Sequence, residues 1–321
     1  MQPAIETREV IAFEADGTWL RGTCHKPRDD EGASPPAPKR IGLLFLSGGL
    51  VPRAATGDAA VYWADRLASA GYPSFRFDLP GLGDSDGDLP QTENAFLSLV
   101  NTGAFSRVVS GIIDYLVERF NLPGIVVIGH CSGATTALYS AAVNKRIKGL
   151  ILLDPCFQVQ PEGEIQNALV SWHFRIIRRL VGDGSAESYL RAVRLHTWIR
   201  NLYLRGKHIR LFLWRRGLPS TANLPLIRCW NQLASAGLRM LVLRSPSFTP
   251  KPGEFDYVGH LKPISDPVKL IEGTTHAFAE RQGKEAVRKY VAEYLSAYVL
   301  PPERMEARDT AMRRPRPSDG Y

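Results

Sequence analysis

The stretch GIVVIGHCSGATTALYSAA, residues 124–142, decides the fold. It begins with an apolar, β-branched run of the kind that forms a buried strand, and it ends in an Ala-rich segment suited to a helix. Between the two stand Gly129, Cys131 and Gly133, a Gly-x-Cys-x-Gly pattern with small residues where a tight turn crowds its neighbours. We therefore expect a strand, a sharp turn and a helix, with Cys131 at the turn.

Outward from this stretch, short apolar runs alternate with longer amphipathic segments, which is the pattern of a largely parallel sheet with crossover helices. The predicted strands are Val10–Glu14, Leu20–His25, Ile41–Leu46, Ser74–Phe77, Gly124–Ile128, Gly149–Leu153, Met240–Leu243 and Val268–Ile271. The predicted helices are Asp58–Ala70, Gly103–Phe120, Ser132–Val143 and Lys284–Ala297. In such a sheet the carboxyl ends of the parallel strands share one edge, and a site is expected there.

Four motifs follow one another along the chain: SGGLVPR (47–53), RFDLPGLGDSDG (76–87), GHCSGA (129–134) and GTTHAF (273–278). In this order the sequence resembles the α/β-hydrolase superfamily. The resemblance implies an eight-stranded, mostly parallel sheet with a helical cap inserted after the sixth strand, and an enzyme that uses a nucleophile, an acid and a base. The nucleophile of that family is usually Ser, so Cys131 is a departure.

Cys131 is the predicted nucleophile, and Ser132 is its competitor. If Ser132 were the nucleophile, His130 would occupy a place where the turn needs Gly. Cys131 also stands at the N-terminal end of the helix that starts at Ser132, where free N–H groups and the helix dipole favour a thiolate. Ser132 is better placed to offer its backbone N–H to an oxyanion.

His276 is the predicted base, because it follows the last strand and resembles the base loop of the family. His130 is predicted to pack against the turn, and His260 is a weaker alternative to His276.

The acid is less well defined, because no Asp stands at the immediate end of the seventh strand, where the family carries its carboxylate. Glu254 and Asp256 are the predicted candidates, and Asp154, after the sixth strand, is the third option. The site could also work as a dyad without an acid.

The SGGLVPR loop predicts the oxyanion donors, since Gly48 and Gly49 let the backbone turn its N–H groups inward. Gly49 and Leu50 are predicted to donate together with Ser132, and Val51 is predicted to contact substrate. The glycines of GLGDSDG shape a turn; nucleotide binding is not expected, because the Lys-Ser/Thr end of a phosphate loop is missing.

The sequence predicts a hydrolase core at 1–155 and 236–299, a helical cap at 156–235 and a flexible tail at 300–321. The chain has a formal net charge of +8. Eleven Arg and Lys against two acids give residues 173–216 a charge of +9, so the rest of the chain carries −1. This basic cap would attract an acidic carrier protein or CoA.

Other interpretations of the basic segment remain open. It could be a solvated face, or its interleaved aromatic residues could contact anionic lipid. Trp172 and Trp198, both in the predicted cap, are also predicted substrate contacts. Nucleic acid is not expected, because no recognition motif accompanies the charge.

The sequence shows no signal-peptide pattern at its start and no long apolar run, so we expect a cytoplasmic protein. The remaining cysteines, Cys24, Cys156 and Cys229, lie far apart and are expected to be structural. We expect no metal and no cofactor.

A Cys acyl-enzyme is a thioester, which suits exchange of an acyl group with another thiol or an amine. The Cys turn and the SGGLVPR loop resemble hydrolases near exosortase systems and biosynthetic clusters, and Cys-dependent aminoacyltransferases that work on carrier proteins. Dienelactone hydrolases share the turn but lack a large cap. We therefore expect an acyltransferase or thioesterase in a biosynthetic pathway. The alternatives are a hydrolase of a free small ester, lactone or amide and, least favoured, a non-catalytic scaffold.

Overall fold

The computed structural model describes residues 8–15, 17–27, 41–159, 218–219 and 221–296. These residues form one eight-stranded sheet, as the sequence predicts, in the order β1-β2-β4-β3-β5-β6-β7-β8. The strands are β1 Arg8–Ala15, β2 Thr18–His25, β3 Gly42–Leu46, β4 Ser74–Phe77, β5 Ile125–His130, β6 Ile147–Leu153, β7 Arg239–Arg244 and β8 Lys269–Leu270. β1 and β2 pair antiparallel, β2 pairs antiparallel with β4, and every later pairing is parallel.

Six α-helices lie in the described part of the chain: α1 Ala59–Ser69, α2 Glu93–Thr102, α3 Ser106–Arg119, α4 Ser132–Val143, α5 Leu224–Ser235 and α6 Arg281–Ser296. Among these residues no single helix is long and apolar enough to span a membrane, and the pair α2 and α3, which together have the length and composition, is bent by 67°.

The central strands are buried along their length, as strands covered on both faces should be. All five residues of β3 and the first five of β5 are buried. One core cluster joins them to α1 and α6 through Trp63, Val126 and Tyr294. This packing fixes where each strand ends relative to its neighbours, and hence the position of the residues that follow it.

The helix α4 runs through the interior behind β5. Its residues Ser132–Leu138 and Ser140 are buried, and they are mostly small. Small side chains let the helix lie close to the sheet. Only Cys131 separates the end of β5 from the N-terminus of α4.

The sequence prediction missed α2 and began α3 too early. Thr92 caps α2 by accepting a hydrogen bond from the N–H of Ala95 at 3.2 Å, and Gly103 ends the helix with a left-handed φ of 78°. The predicted helix Gly103–Phe120 therefore starts only at Ser106, because Gly103 belongs to the end of the preceding helix.

Contacts divide the chain into two units, Met1–Cys156 with Pro225–Tyr321, and Phe157–Leu224. In the second unit, Gln158 and Ala222 form an antiparallel bridge. Residues 160–217, which make up most of the predicted cap, and the predicted tail 300–321 lie outside the described residues. The predicted cap and tail boundaries therefore stay predictions.

Candidate active site

Cys131 stands on a sharp turn between β5 and α4. Its backbone has φ 52° and ψ −113°, a conformation that non-glycine residues rarely adopt. A Cβ on Gly129 would lie 2.5 Å from the carbonyl oxygen of Gly133, and a Cβ on Gly133 would collide with the carbonyl oxygens of Leu46 and Ser47. The two glycines are therefore required by close backbone approach, and the strained turn holds the thiol of Cys131 out from the backbone.

Hydrogen bonds on both sides fix this turn. The N–H of Cys131 donates to the carbonyl of Leu153 at 2.9 Å, and its own carbonyl accepts from Ala134 and Thr135 at 3.0 and 3.2 Å. The first bond ties the turn to the end of β6 and the others begin α4. The cysteine itself is partly exposed.

His276 is oriented by Asp154. Its Nδ1 lies 2.8 Å from Oδ2 of Asp154. Burial of the ring lowers the pKa of His276, but hydrogen bonds to Asp154 and Cys131, with the negative charge of both, outweigh burial and raise the pKa to about 9. With Nδ1 engaged by the carboxylate, Nε2 is the ring atom left to exchange a proton with the thiol, as in a nucleophile–base–acid triad.

Asp154 is fully buried and has further partners. The N–H of Ser245 donates to its Oδ1 at 2.8 Å, and the hydroxyl of Ser245 donates to its Oδ2 at 2.6 Å. Its backbone is left-handed, with φ 46°. A buried carboxylate needs such donors, and together with His276 they satisfy both oxygens.

The structure does not bring Glu254 or Asp256, the predicted acids, to His276. Asp256 accepts from Arg244 at 2.7 Å and from the N–H of Val258 at 3.1 Å. Glu254 accepts from the N–H of Lys251 at 3.0 Å. Both carboxylates are therefore engaged by Arg244, at the end of β7, or by the backbone of their own loop, and the third option of the sequence, Asp154, is the one that contacts His276.

Two residues missed by the sequence prediction contact Asp154 or the predicted base, His276. Ser245 directly follows β7, the place where the family carries its acid, and here it holds the acid of the neighbouring strand instead. Phe248 stacks on His276, with ring centroids 4.6 Å apart and planes 16° from parallel. Neither a serine nor a phenylalanine in a loop gives a sequence signal for such a role.

His130 also supports the base loop. Its Nε2 donates to the carbonyl of His276 at 2.7 Å, and it packs edge-on against Phe278. Burial, and then the nearby charge of His276, lower the pKa of His130 to about 4. A neutral His130 thus ties the base loop to the nucleophile turn, a more specific contact than the packing role predicted for it. His260, the weaker alternative base, stacks instead on Phe255 at 4.4 Å.

The predicted oxyanion loop lies against the start of α4. The N–H of Gly49 donates to Oγ of Ser132 at 2.6 Å, so this predicted donor is already engaged. Within the described part of the chain, no acceptor is found for the N–H groups of Leu50 and Ser132. Leu50 is 40% exposed and Val51 is partly buried beside it. Trp172 and Trp198 lie outside the described residues.

Arg53 anchors the far end of this loop. Its N–H donates to Oδ1 of Asp78 at 2.6 Å, and its guanidinium pairs with Asp78 and Asp84. Nε donates to the hydroxyl of Thr23 at 3.2 Å, and the carbonyl of Arg53 accepts from Arg76 at 3.1 Å. The side chain of Asp78 is fully buried, so the loop is fixed to the neighbouring strand end by an ion pair shielded from water.

The other cysteines have different surroundings. Burial raises the pKa of Cys24 to about 12 and that of Cys229 to about 11, and the thiol of Cys229 donates to the carbonyl of Leu138 at 3.1 Å. Both are poor nucleophiles. Cys156 is partly buried. The described residues contain no group of three or more His, Cys, Asp or Glu side chains that could hold a metal ion.

A family model described as alpha/beta hydrolase fold matches residues 43–191. The structure of DcsB in complex with its substrate analogue is similar, with a TM-score of 0.56 and 17% identity over 91% of this chain and 100% of that chain. The alpha/beta hydrolase GrgF from Penicillium sp. sh18 has a TM-score of 0.55 and 16% identity, over 90% and 98% of the two chains. Est1E from Butyrivibrio proteoclasticus, solved with ferulic acid bound, has a TM-score of 0.54 and 16% identity, over 89% of this chain and 99% of that chain. No curated protein matches the sequence.

The chain therefore has the α/β-hydrolase fold. The solved structures, at 16–17% identity, show the fold alone.

Proposed function

We propose that this protein is a cysteine-dependent acyl-transfer enzyme that forms an acyl-thioester on Cys131. The observation that carries the proposal is the arrangement of a strained cysteine turn, a histidine whose pKa is raised to about 9 through its contacts with Cys131 and Asp154, and a buried carboxylate behind that histidine. Each of these features has a cost in stability or is rare elsewhere in proteins, and together they have the geometry of nucleophilic catalysis.

At the start of the reaction, Nε2 of His276 holds the proton of the Cys131 thiol. The thiolate then attacks the carbonyl carbon of the acyl group. The electron pair of the carbonyl moves to oxygen, where the N–H groups of Ser132 and Leu50 stabilise the charge. The intermediate collapses, the C–X bond to the donor breaks, and the leaving group takes the proton from His276. The product of this half-reaction is Cys131 carrying the acyl group as a thioester.

The second half-reaction repeats these steps with an acceptor. His276 takes a proton from a thiol, amine, alcohol or water, and the acceptor attacks the thioester carbonyl. The C–S bond then breaks and the thiolate of Cys131 returns to its pairing with the imidazolium. Asp154 keeps its charge throughout and favours the protonated ring at each step.

The thiol favours transfer over hydrolysis. A thioester reacts with thiols and amines more readily than with water, and exchange between two thiols is nearly balanced in free energy. The proposed donor is an acyl group on CoA or on an acidic carrier protein, because residues 173–216 carry eleven basic and two acidic side chains and would attract a negatively charged partner. The proposed setting is a biosynthetic pathway, in line with the biosynthetic-cluster hydrolases and carrier-protein aminoacyltransferases that the sequence resembles.

A hydrolase of a free small ester, lactone or amide is the second candidate. Asp154 favours it, because a fully hydrogen-bonded acid makes His276 a base able to activate water. The same contacts argue against a non-catalytic scaffold, which a missing acid would favour.

The experiment is incubation of the full chain with acetyl-CoA and with a small acyl-thioester, followed by intact mass spectrometry. We expect an acyl adduct that is absent in Cys131→Ala and unchanged in Cys156→Ala, the other partly buried cysteine. Persistence of the adduct in Cys131→Ala would refute the proposal. A nitrophenyl ester separates the two candidate functions, since a hydrolase turns it over without an acceptor, whereas a transferase is slow until a thiol or amine is added.

A further inference from the structure

Ser132 has a buried hydroxyl at the edge of the active site. The residue is 5% exposed and is the first residue of α4, directly after Cys131. Its Oγ accepts a hydrogen bond of 2.6 Å from the N–H of Gly49 in the oxyanion loop. The hydroxyl therefore lies between the two segments whose N–H groups are expected to face an oxyanion.

This hydrogen bond changes which groups can stabilise the oxyanion. The N–H of Gly49 points at the Ser132 oxygen and is not free for a substrate. A serine hydroxyl can accept through its lone pairs and still donate its one proton. Within the described residues no acceptor is found for that proton, although the side chain is nine-tenths buried. A buried donor without an acceptor is uncommon unless a ligand or water completes it.

We infer that the hydroxyl of Ser132 is itself a donor to the oxyanion formed at Cys131. It takes the place of Gly49 in the oxyanion hole, beside the backbone N–H groups of Ser132 and Leu50. The hydrogen bond from Gly49 polarises the hydroxyl and makes it a stronger donor, as in other chains of hydrogen bonds. The inference rests on the proposed acyl chemistry of Cys131 and adds a catalytic role for a neighbouring side chain.

Two simpler roles for Ser132 make different predictions. If the hydroxyl only clamps the oxyanion loop, its removal frees Gly49 to donate in its place and the chemistry is little changed. If Ser132 were the nucleophile, its removal would abolish every acyl adduct. Its position in the first turn of α4, with Oγ engaged by Gly49, argues against the latter, since the strained conformation of the nucleophile turn belongs to Cys131.

The test compares two reactions of the same thiol in Ser132→Ala. Acylation by a small acyl-thioester passes through an oxyanion, whereas alkylation by iodoacetamide displaces iodide and forms none. Loss of one oxyanion donor lowers acylation about 10²-fold in known cases. We expect a loss of at least about tenfold in the rate of Cys131 acylation, carried by the rate constant and not by KM, with alkylation changed less than about twofold.

Matched variants separate the effect of losing the hydroxyl from effects of side-chain size and of folding. Ser140→Ala removes another buried hydroxyl of α4, which donates to the carbonyl of Thr136 at 2.8 Å, and should leave both reactions unchanged. Ser132→Thr keeps a hydroxyl, and the similarly shaped Ser132→Val lacks it, so the ratio of their acylation rates reports the hydroxyl alone even if Ser132→Ala folds poorly.

Three results would overturn the inference: equal losses in acylation and alkylation, no loss in either, or equal acylation by the Thr and Val variants. An acyl adduct that persists in Cys131→Ala would instead refute the proposed function itself, and the inference with it.

Discussion

Replacing Asp154 with Asn separates the acid found in the structure from the acids that the sequence favoured. The pKa of His276 is raised to about 9, so at pH 7 nearly all of its rings are protonated next to Cys131. Without the carboxylate, only the contact with Cys131 still opposes the burial of the ring, so the pKa of His276 should return toward its ordinary value of about 6.5, at which about one ring in four is protonated at pH 7.

The amide introduced by Asp154→Asn also acts through the tautomer of His276. Its oxygen can still accept from Ser245, but its NH₂ group would then donate to Nδ1 of His276. The ring proton would move to Nε2, which could no longer take the proton of Cys131. We therefore expect the rate of Cys131 alkylation at pH 7 to fall between about fourfold and a hundredfold in Asp154→Asn, and acylation to fall at least as much.

The assay is the rate of iodoacetamide and acyl-thioester labelling by mass spectrometry, with the titration of His276 followed by NMR. The midpoint of that titration should move from about 9 in the wild type down toward the ordinary value of about 6.5. Asp256→Asn is the matched control, because its carboxylate pairs with Arg244 and not with His276. Normal labelling in Asp154→Asn together with a loss in Asp256→Asn would refute the assignment of the acid.

The remaining predictions concern packing and burial. Gly133→Ala should lower the free energy of unfolding by about 1–3 kcal/mol, because its Cβ would meet backbone oxygens. Gly111→Ala, in α3, where an added Cβ would make only an ordinary contact of 3.9 Å with the Cβ of Ala15, should raise the free energy of unfolding by about 0.5–1 kcal/mol, and a denaturant titration checks both. Arg53→Met should lower the free energy of unfolding by about 3 kcal/mol and slow Cys131 acylation, because the buried carboxylate of Asp78 loses its ion-pair partner. Unchanged thermal stability would contradict this. His25 is fully buried, and burial, with the charge of Arg76, lowers its pKa to about 4 despite the hydrogen bond to Asp65. The free energy of unfolding should therefore fall as the pH drops from about 6.5 to 4, by up to about 1.4 kcal/mol per pH unit. His25→Gln should make this pH dependence weaker in thermal melts.

The nucleophile turn could be predicted from sequence because its requirements are local. Gly129 and Gly133 are needed by backbone approaches within a few residues of Cys131 or to the adjacent strand, and no other residue type fits. The strands could be predicted for a similar reason, since continuous apolar runs have few other places in a soluble fold. The helix α2 was missed because only Phe96 and Val100 are buried on it, too few to give a clear period.

The acid could not be chosen from sequence, because the choice depends on which strand ends are neighbours. Asp154 and Ser245 are 91 residues apart in the chain, yet each directly follows one of two paired parallel strands, β6 and β7, and Leu153 lies opposite Leu243 in that pairing. Glu254 and Asp256 stand nearer in sequence to the end of β7, where the acid is expected, but they bind Arg244 and the backbone of their own loop instead of His276.

By itself, the sequence determined the eight-stranded sheet, the turn that carries Cys131 and the position of His276 after the last strand, because short-range sterics and apolar periodicity encode them. The tertiary structure decided which carboxylate orients His276, that His130 and Phe248 support its loop, and that the hydroxyl of Ser132 engages Gly49. These contacts join segments far apart in the chain, and only the packing of parallel strands at one edge of the sheet brings them within hydrogen-bonding distance.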